Sequence, residues 1–172
     1  MIFQKLRTDL RKKLSLVKLL LINADGFLTE NQTPYSQTPS LSEGQEIRAL
    51  KRVGVRSVAF STKELEALYT ILSRLGIDSM YQDVSQKSVT YSKLKVQHSV
   101  SDNEIAFIGW DFSDLPIIER VNFSVAPADA PLEIKAKSYY VTYGVGEESV
   151  REVARLILRA KNPDRLFKLL GA

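Results

Sequence analysis

The stretch VKLLLINADGFLTEN, residues 17–31, decides the fold. It opens with an apolar run, Val17 and Leu19 to Ile22, broken only by Lys18. That run is too short for a membrane helix and fits a strand buried on both faces. It stops in Asn23-Ala24-Asp25-Gly26, which is turn chemistry at the carboxyl end of a strand. In open α/β sheets, ligands and catalytic groups gather at that end. Asn23 and Asp25 leave the strand two residues apart, so the pattern predicts that they point the same way. A plain strand-terminating turn would look the same on this fragment alone.

Composition narrows the field. The chain has 172 residues, 44% hydrophobic and 26% charged, which suits one domain over residues 1–172 with a full core. There is no cysteine, so a disulfide framework or thiolate metal site is excluded. A single histidine, His98, excludes a multi-histidine zinc centre. These features fit a cytoplasmic protein. The net charge of +4 is concentrated in residues 1–18, where six cations face Asp9 alone. The rest of the chain is close to neutral, so neither a nucleic acid nor a membrane is the expected partner. Ile2, Phe3, Leu6, Leu10 and Leu14 recur at helical spacing, which predicts a docked amphipathic helix over 1–16 with a solvated basic face.

Along the chain, 31–41 is polar with Pro34 and Pro39 and reads as a loop or short hairpin. A helix with Ile47, Leu50 and Val53 on one face follows Ser42 and closes at Gly54. Strands are expected at 56–61, 77–81, 104–108, 123–126 and 139–142. Helices are expected at 65–75, 85–96, 114–121 and 147–160, with a short one in the tail after Asn162. Strands alternating with helices specify an α/β fold, a mostly parallel sheet with helices on both faces. Right-handed crossovers then bring Asn23, Asp25, Ser61, Lys87 and Asp111 to one sheet edge. Taken singly, each has an ordinary structural explanation: Ser61 as a helix cap, Lys87 as solvated, Asp111 as a turn residue.

Together these residues resemble the haloacid dehalogenase-type phosphatases. More narrowly they resemble the 3-deoxy-manno-octulosonate 8-phosphate phosphatases and their acylneuraminate relatives. VKLLLINADGFLT is similar to the family's opening DxDGxxT strand, and Ser61-Thr62-Lys63 to its second, Thr-Gly-Arg motif. Lys87 stands at the third-motif lysine, and Ile108 to Pro116 is similar to IGDDxxDLP. The resemblance implies a three-layer Rossmann-like fold without a large cap domain. It implies an aspartate nucleophile, an aspartate acid, a hydroxyl and lysine on phosphate, and Mg²⁺ held partly by the first aspartate of GDD.

The departures fall on the chemistry. Asn23 replaces the nucleophile, and an amide supplies no anionic oxygen to a hard cation. Trp110 replaces the metal-binding aspartate of GDD. The family's Arg-Asp-Gly reads Ser42-Glu43-Gly44, and the tetramer-building hairpin is shortened. Asp25 is left as a residual general acid, with Ser61, Thr62, Lys63 and Lys87 as the phosphate-binding set. Asn23, Asp25, Trp110, Asp111 and Asp114 form a degenerate metal site. No cofactor is expected, and the expectation is a pseudophosphatase that binds a phosphorylated sugar, inorganic phosphate or a protein partner. The alternative is a working sugar-phosphate phosphatase with an atypical nucleophile or metal site, which would use Mg²⁺. Lys87 either meets an anion or pairs with Asp111 as a structural relic, and the sequence leaves both open, as it does a homo-oligomer.

Overall fold

The apolar run of the opening stretch becomes the centre of the sheet. The computed structural model describes residues 2–27 and 44–162, with side chains from Asp9 onward. The expected loop or hairpin at 31–41, the Ser42-Glu43 pair and the tail helix beyond Asn162 lie outside the described residues. Strand β1 (Leu19–Asn23) is buried along its whole length, because parallel neighbours flank it and helices cover both faces. β2 (Arg56–Phe60) and β3 (Ser79–Tyr81) lie on one side of it. β4 (Ile105–Ile108), β5 (Phe123–Ala126) and β6 (Tyr140–Val141) lie on the other. The order is β3-β2-β1-β4-β5-β6, and every pairing is parallel. The chain therefore reverses its direction of travel across the sheet between β1 and β4. A parallel sheet opens a crevice at such a switch point.

Helices α1 (Ile2–Leu16), α2 (Gln45–Leu50), α3 (Glu66–Leu75) and α7 (Gly146–Lys161) cover one face. Their core side chains include Leu14, Ile47, Leu68, Leu72, Val153 and Ile157. α4 (Lys87–His98), α5 (Leu115–Ile118) and α6 (Leu132–Lys137) cover the other, through Tyr91, Leu94, Ile117 and Ile134. The expected docked N-terminal helix is present: Leu14 is buried while Arg11 and Lys12 are exposed. Lys13 Nζ donates to the Asn122 carbonyl at 3.2 Å, and Asn122 returns a bond to the Lys13 carbonyl at 3.0 Å. The Tyr139 hydroxyl donates to Asp9 at 2.7 Å, pinning the helix to the β6 side.

Gly76 closes α3 at φ +78, with Arg48 packed where a Cβ would stand. Gly54 ends the turn after α2 at φ +76. Gly54 sits where the sequence placed a helix-closing glycine. Two expectations are corrected. The helix foreseen over 114–121 is a 3-10 turn at Phe112–Asp114 followed by the one-turn α5. Helix α6 was not foreseen, because only Ile134 of its six residues is buried and no periodic stripe betrays it. No helix among the described residues is long and apolar enough to cross a membrane.

Leu20 is fully buried in the central strand, within the cluster beneath α7. Leu20→Ala is expected to lower stability by about 2–5 kcal/mol. Urea unfolding followed by circular dichroism checks this, with an unchanged m-value showing that the native fold is retained.

Candidate functional site

The register fixes which chain ends meet. Asn23 ends β1 opposite Phe60, the last residue of β2, so Ser61 follows beside it. Ile22 is level with Ile108, so the loop Gly109 to Asp114 begins on the other side of Asn23. Lys87 opens α4 and crosses behind the same edge, its ammonium 6.0 Å from the Phe60 ring centroid. All the residues expected at the edge are there, in two hydrogen-bonded groups joined by the Asp25 backbone N–H, which donates to Asn23 Oδ1 at 3.0 Å.

The first group is centred on Asp114, which is fully buried. Its Oδ2 accepts from Asn23 Nδ2 at 2.7 Å, the Trp110 backbone N–H at 2.7 Å and the Asp111 backbone N–H at 3.0 Å. Its Oδ1 accepts from Lys87 Nζ at 2.9 Å. Lys87 also donates to both oxygens of Asp111, at 3.0 and 3.1 Å, and is only 6% exposed. Asp111 in turn accepts from the Ser113 backbone N–H and hydroxyl. Asp111 and Asp114 form a reciprocal capping box around the 3-10 turn. Lys87 therefore pairs with two carboxylates, Asp111 and Asp114.

The second group is centred on Asp25. The strand ends at Asn23 and turns into 3-10 geometry over Ala24–Phe27, so the alternation of side chains stops there. Asn23 and Asp25 thus diverge, against the expectation that they point the same way. Asp25 accepts from the Ser61 hydroxyl at 2.7 Å, the Thr62 hydroxyl at 2.8 Å and the Thr62 backbone N–H at 3.1 Å. Ser61 is buried and its hydroxyl oxygen accepts from the Lys63 backbone N–H at 2.9 Å, while the Lys63 side chain is exposed. Trp110 is partly buried and lies flat on Gly26. A Cβ at Gly26 would come within 2.8 Å of the indole Cε3, so this approach requires glycine.

Sequence reasoning named Asp114 but missed its place as the hub. The Asp-x-x-Asp spacing at 111 and 114, ahead of an apolar helix, was the available signal, since it marks a capping box.

The charges are coupled. Burial alone would lower the Lys87 pKa, but the carboxylates of Asp114 and Asp111 outweigh it and hold the ammonium above its ordinary value. Burial works to raise Asp111, yet the Ser113 bonds and Lys87 keep it below the usual carboxylate range. Asp114 is pushed up by burial and by the adjacent Asp111, which Lys87 only partly offsets.

A divalent metal does not fit this donor set. Asp114 accepts from four protein donors, three crowded on Oδ2 and the Lys87 ammonium on Oδ1, so a cation would face a positive charge on one oxygen and N–H donors on the other. Asp25 and Asp111 are likewise engaged internally, Asn23 has no anionic oxygen, and the indole of Trp110 has no oxygen at all. Among the described residues no group of acidic or histidine side chains is arranged to hold a metal.

Known proteins place the chain. The architecture is that of the haloacid dehalogenase class of hydrolases. A solved hydrolase of that superfamily from Legionella pneumophila superposes with a TM-score of 0.82 at 24% identity, covering 98% of this chain and 97% of that one. The 3-deoxy-D-manno-octulosonate 8-phosphate phosphatase of Yersinia pestis is 30% identical over 171 residues, 95% of this chain and 89% of that protein. Its Escherichia coli counterpart is 28% identical over 160 residues, 89% of this chain and 85% of that protein. The cobalt-bound form of the Haemophilus influenzae phosphatase gives a TM-score of 0.76 at 26% identity, over 90% of this chain and 95% of that one. No family model matches. The chain belongs to the 3-deoxy-D-manno-octulosonate 8-phosphate phosphatase-like family of the haloacid dehalogenase superfamily.

Lys87→Met leaves the buried Asp114 carboxylate facing the partly exposed Asp111 without a cation, and is expected to cost about 3–5 kcal/mol. Because the folded-state pKa of Lys87 is raised, its contribution is fully present below the ordinary value of 10.5 and is lost as pH rises through the folded-state value. The stability gap between wild type and Lys87→Met, measured by urea unfolding at a series of pH values, should hold level up to about 10.5 and close above it.

Proposed function

We propose that this protein is a non-hydrolytic member of its family, a pseudophosphatase that serves as a binding module. The observation that carries this is the Asn23 carboxamide bonded to Asp114 at 2.7 Å. A phosphatase of this design needs an unencumbered carboxylate at that position to attack phosphorus. An amide nitrogen that donates to a buried carboxylate has no lone pair to offer. The second aspartate of the motif, Asp25, has the geometry of a clamp on Ser61 and Thr62, so its role as a general acid has no nucleophile to assist. No resident metal is proposed, for the reasons of donor chemistry given above.

The ligand class follows from which donors are uncommitted. Lys87 is held by two carboxylates, and the Ser61 and Thr62 hydroxyls point at Asp25. A phosphorylated sugar, like those named for the relatives, has to compete with these internal acceptors. A protein partner meeting the exposed rim around Thr62, Lys63 and Phe112 does not. We therefore favour protein interaction over phosphosugar binding.

Purified protein with Mg²⁺, Mn²⁺ or Co²⁺ should release no phosphate above background from 3-deoxy-manno-octulosonate 8-phosphate or p-nitrophenyl phosphate. Asn23→Asp and Trp110→Asp should each recover little, and only the double variant should turn over, since the two carboxylates act as one unit. Activity that copurifies with wild type and vanishes in Asp25→Ala would establish the opposing reading, a working phosphatase with an atypical centre.

A further inference from the structure

The orientation of the Asn23 amide is fixed from both ends. Its Oδ1 accepts from the Asp25 backbone N–H at 3.0 Å, and a backbone N–H can only donate. Its Nδ2 donates to Asp114 Oδ2 at 2.7 Å, and a carboxylate oxygen with two backbone donors already on it can only accept. Asn23 is 2% exposed and Asp114 fully buried, so neither group has water as a substitute partner. The position demands one acceptor and one donor on the same short side chain, which is what a carboxamide provides. An aspartate at 23 satisfies Asp25 equally well but sets a carboxylate oxygen against Asp114 Oδ2. Two buried carboxylates at that separation require a proton or a cation between them. Lys87 does not supply it, because its ammonium sits on Oδ1, the other oxygen of Asp114.

We propose that the Asn23 carboxamide is a latch that takes the place of a divalent cation at the switch point between β1 and β4. It closes the site by hydrogen bonding alone, and Asn23→Asp converts the site into one that requires a cation. The latch joins the turn after β1 to the loop after β4, and the contact of Trp110 on Gly26 joins the same two segments a second time. This deepens the non-hydrolytic reading and rests on it. Turnover by the wild type would defeat that reading without moving the thermal measurements that test the latch.

The test is scanning calorimetry of wild type, Asn23→Ala and Asn23→Asp, each in EDTA and in millimolar Mg²⁺ or Mn²⁺. Wild type should melt at one temperature in all three media. Asn23→Ala should melt lower and ignore the metal, since it loses the donor without adding charge. Asn23→Asp should melt roughly 5–10 °C below wild type in EDTA and regain part of that with Mn²⁺, because a cation that binds only the native state stabilises it. A wild type that is stabilised by Mg²⁺ or Mn²⁺ overturns the proposal. So does an Asn23→Asp protein that matches wild type in EDTA, or one as indifferent to metal as Asn23→Ala. If Asn23→Asp fails to fold without metal, refolding in Mn²⁺ and not in EDTA supports the conversion, and failure in both overturns it.

Discussion

The site depends on satisfying one carboxylate. Asp114 is wholly removed from water, and an isolated charge in that position costs several kcal/mol. Four donors from three parts of the chain meet it: Asn23 at the end of β1, the backbone of Trp110 and Asp111 after β4, and Lys87 at the start of α4. Asn23 and Lys87 are placed by the sheet, and the two backbone donors by the local turn before α5. The parallel register of β1 with β4 brings Asn23 level with the loop, and the crossover from β3 delivers Lys87 behind it. The carboxylate therefore ties together the segments whose meeting defines the switch point. Removing any one donor leaves a buried acceptor short of a partner, which is why the network behaves as a unit.

The strands were legible because a strand buried on both faces must be apolar along its length, as at Leu19 to Ile22 and Ile105 to Ile108. The cap at Gly54 was legible because a left-handed residue at a helix end favours glycine. The set of residues at the sheet edge was legible from connectivity alone. Their partners were not. Asn23 and Asp25 part company because the chain leaves extended geometry between them, a change of two dihedrals that no spacing rule records. Asp114 looked like the polar start of a helix, and two of its partners, Asn23 and Lys87, are distant in sequence. Helix α6 escaped notice because one buried side chain cannot establish a period.

The arrangement also sets what the edge attracts. Two carboxylates, Asp111 and Asp114, hold the buried Lys87 ammonium, Asp25 is engaged by Ser61 and Thr62, and the Lys63 side chain lies exposed outside the cluster. A phosphate entering here would meet hydroxyls and an ammonium that already make charge-assisted bonds within the protein. Its affinity would be the difference between bonds made and bonds broken, and that difference is small when both acceptors are anionic oxygens. The same accounting applies to a cation, which would have to displace N–H donors from filled lone pairs.

Asn23 and Trp110 are best understood as one change with two parts. Both attach the loop after β4 to the turn after β1, one by an amide hydrogen bond and one by an indole laid on Gly26. Trp110 also packs against the core cluster that holds Leu21 and Phe107, whereas the Asn23 bond to Asp114 lies at the sheet edge. Edge and sheet are thus coupled through Trp110, since neighbours that share partners do not contribute independently. Asn23 is one of four donors to the buried Asp114, and the only one of them supplied by the end of β1. On the non-hydrolytic reading proposed above, the residue that stands in for the nucleophile is thus also a residue that ties the edge together.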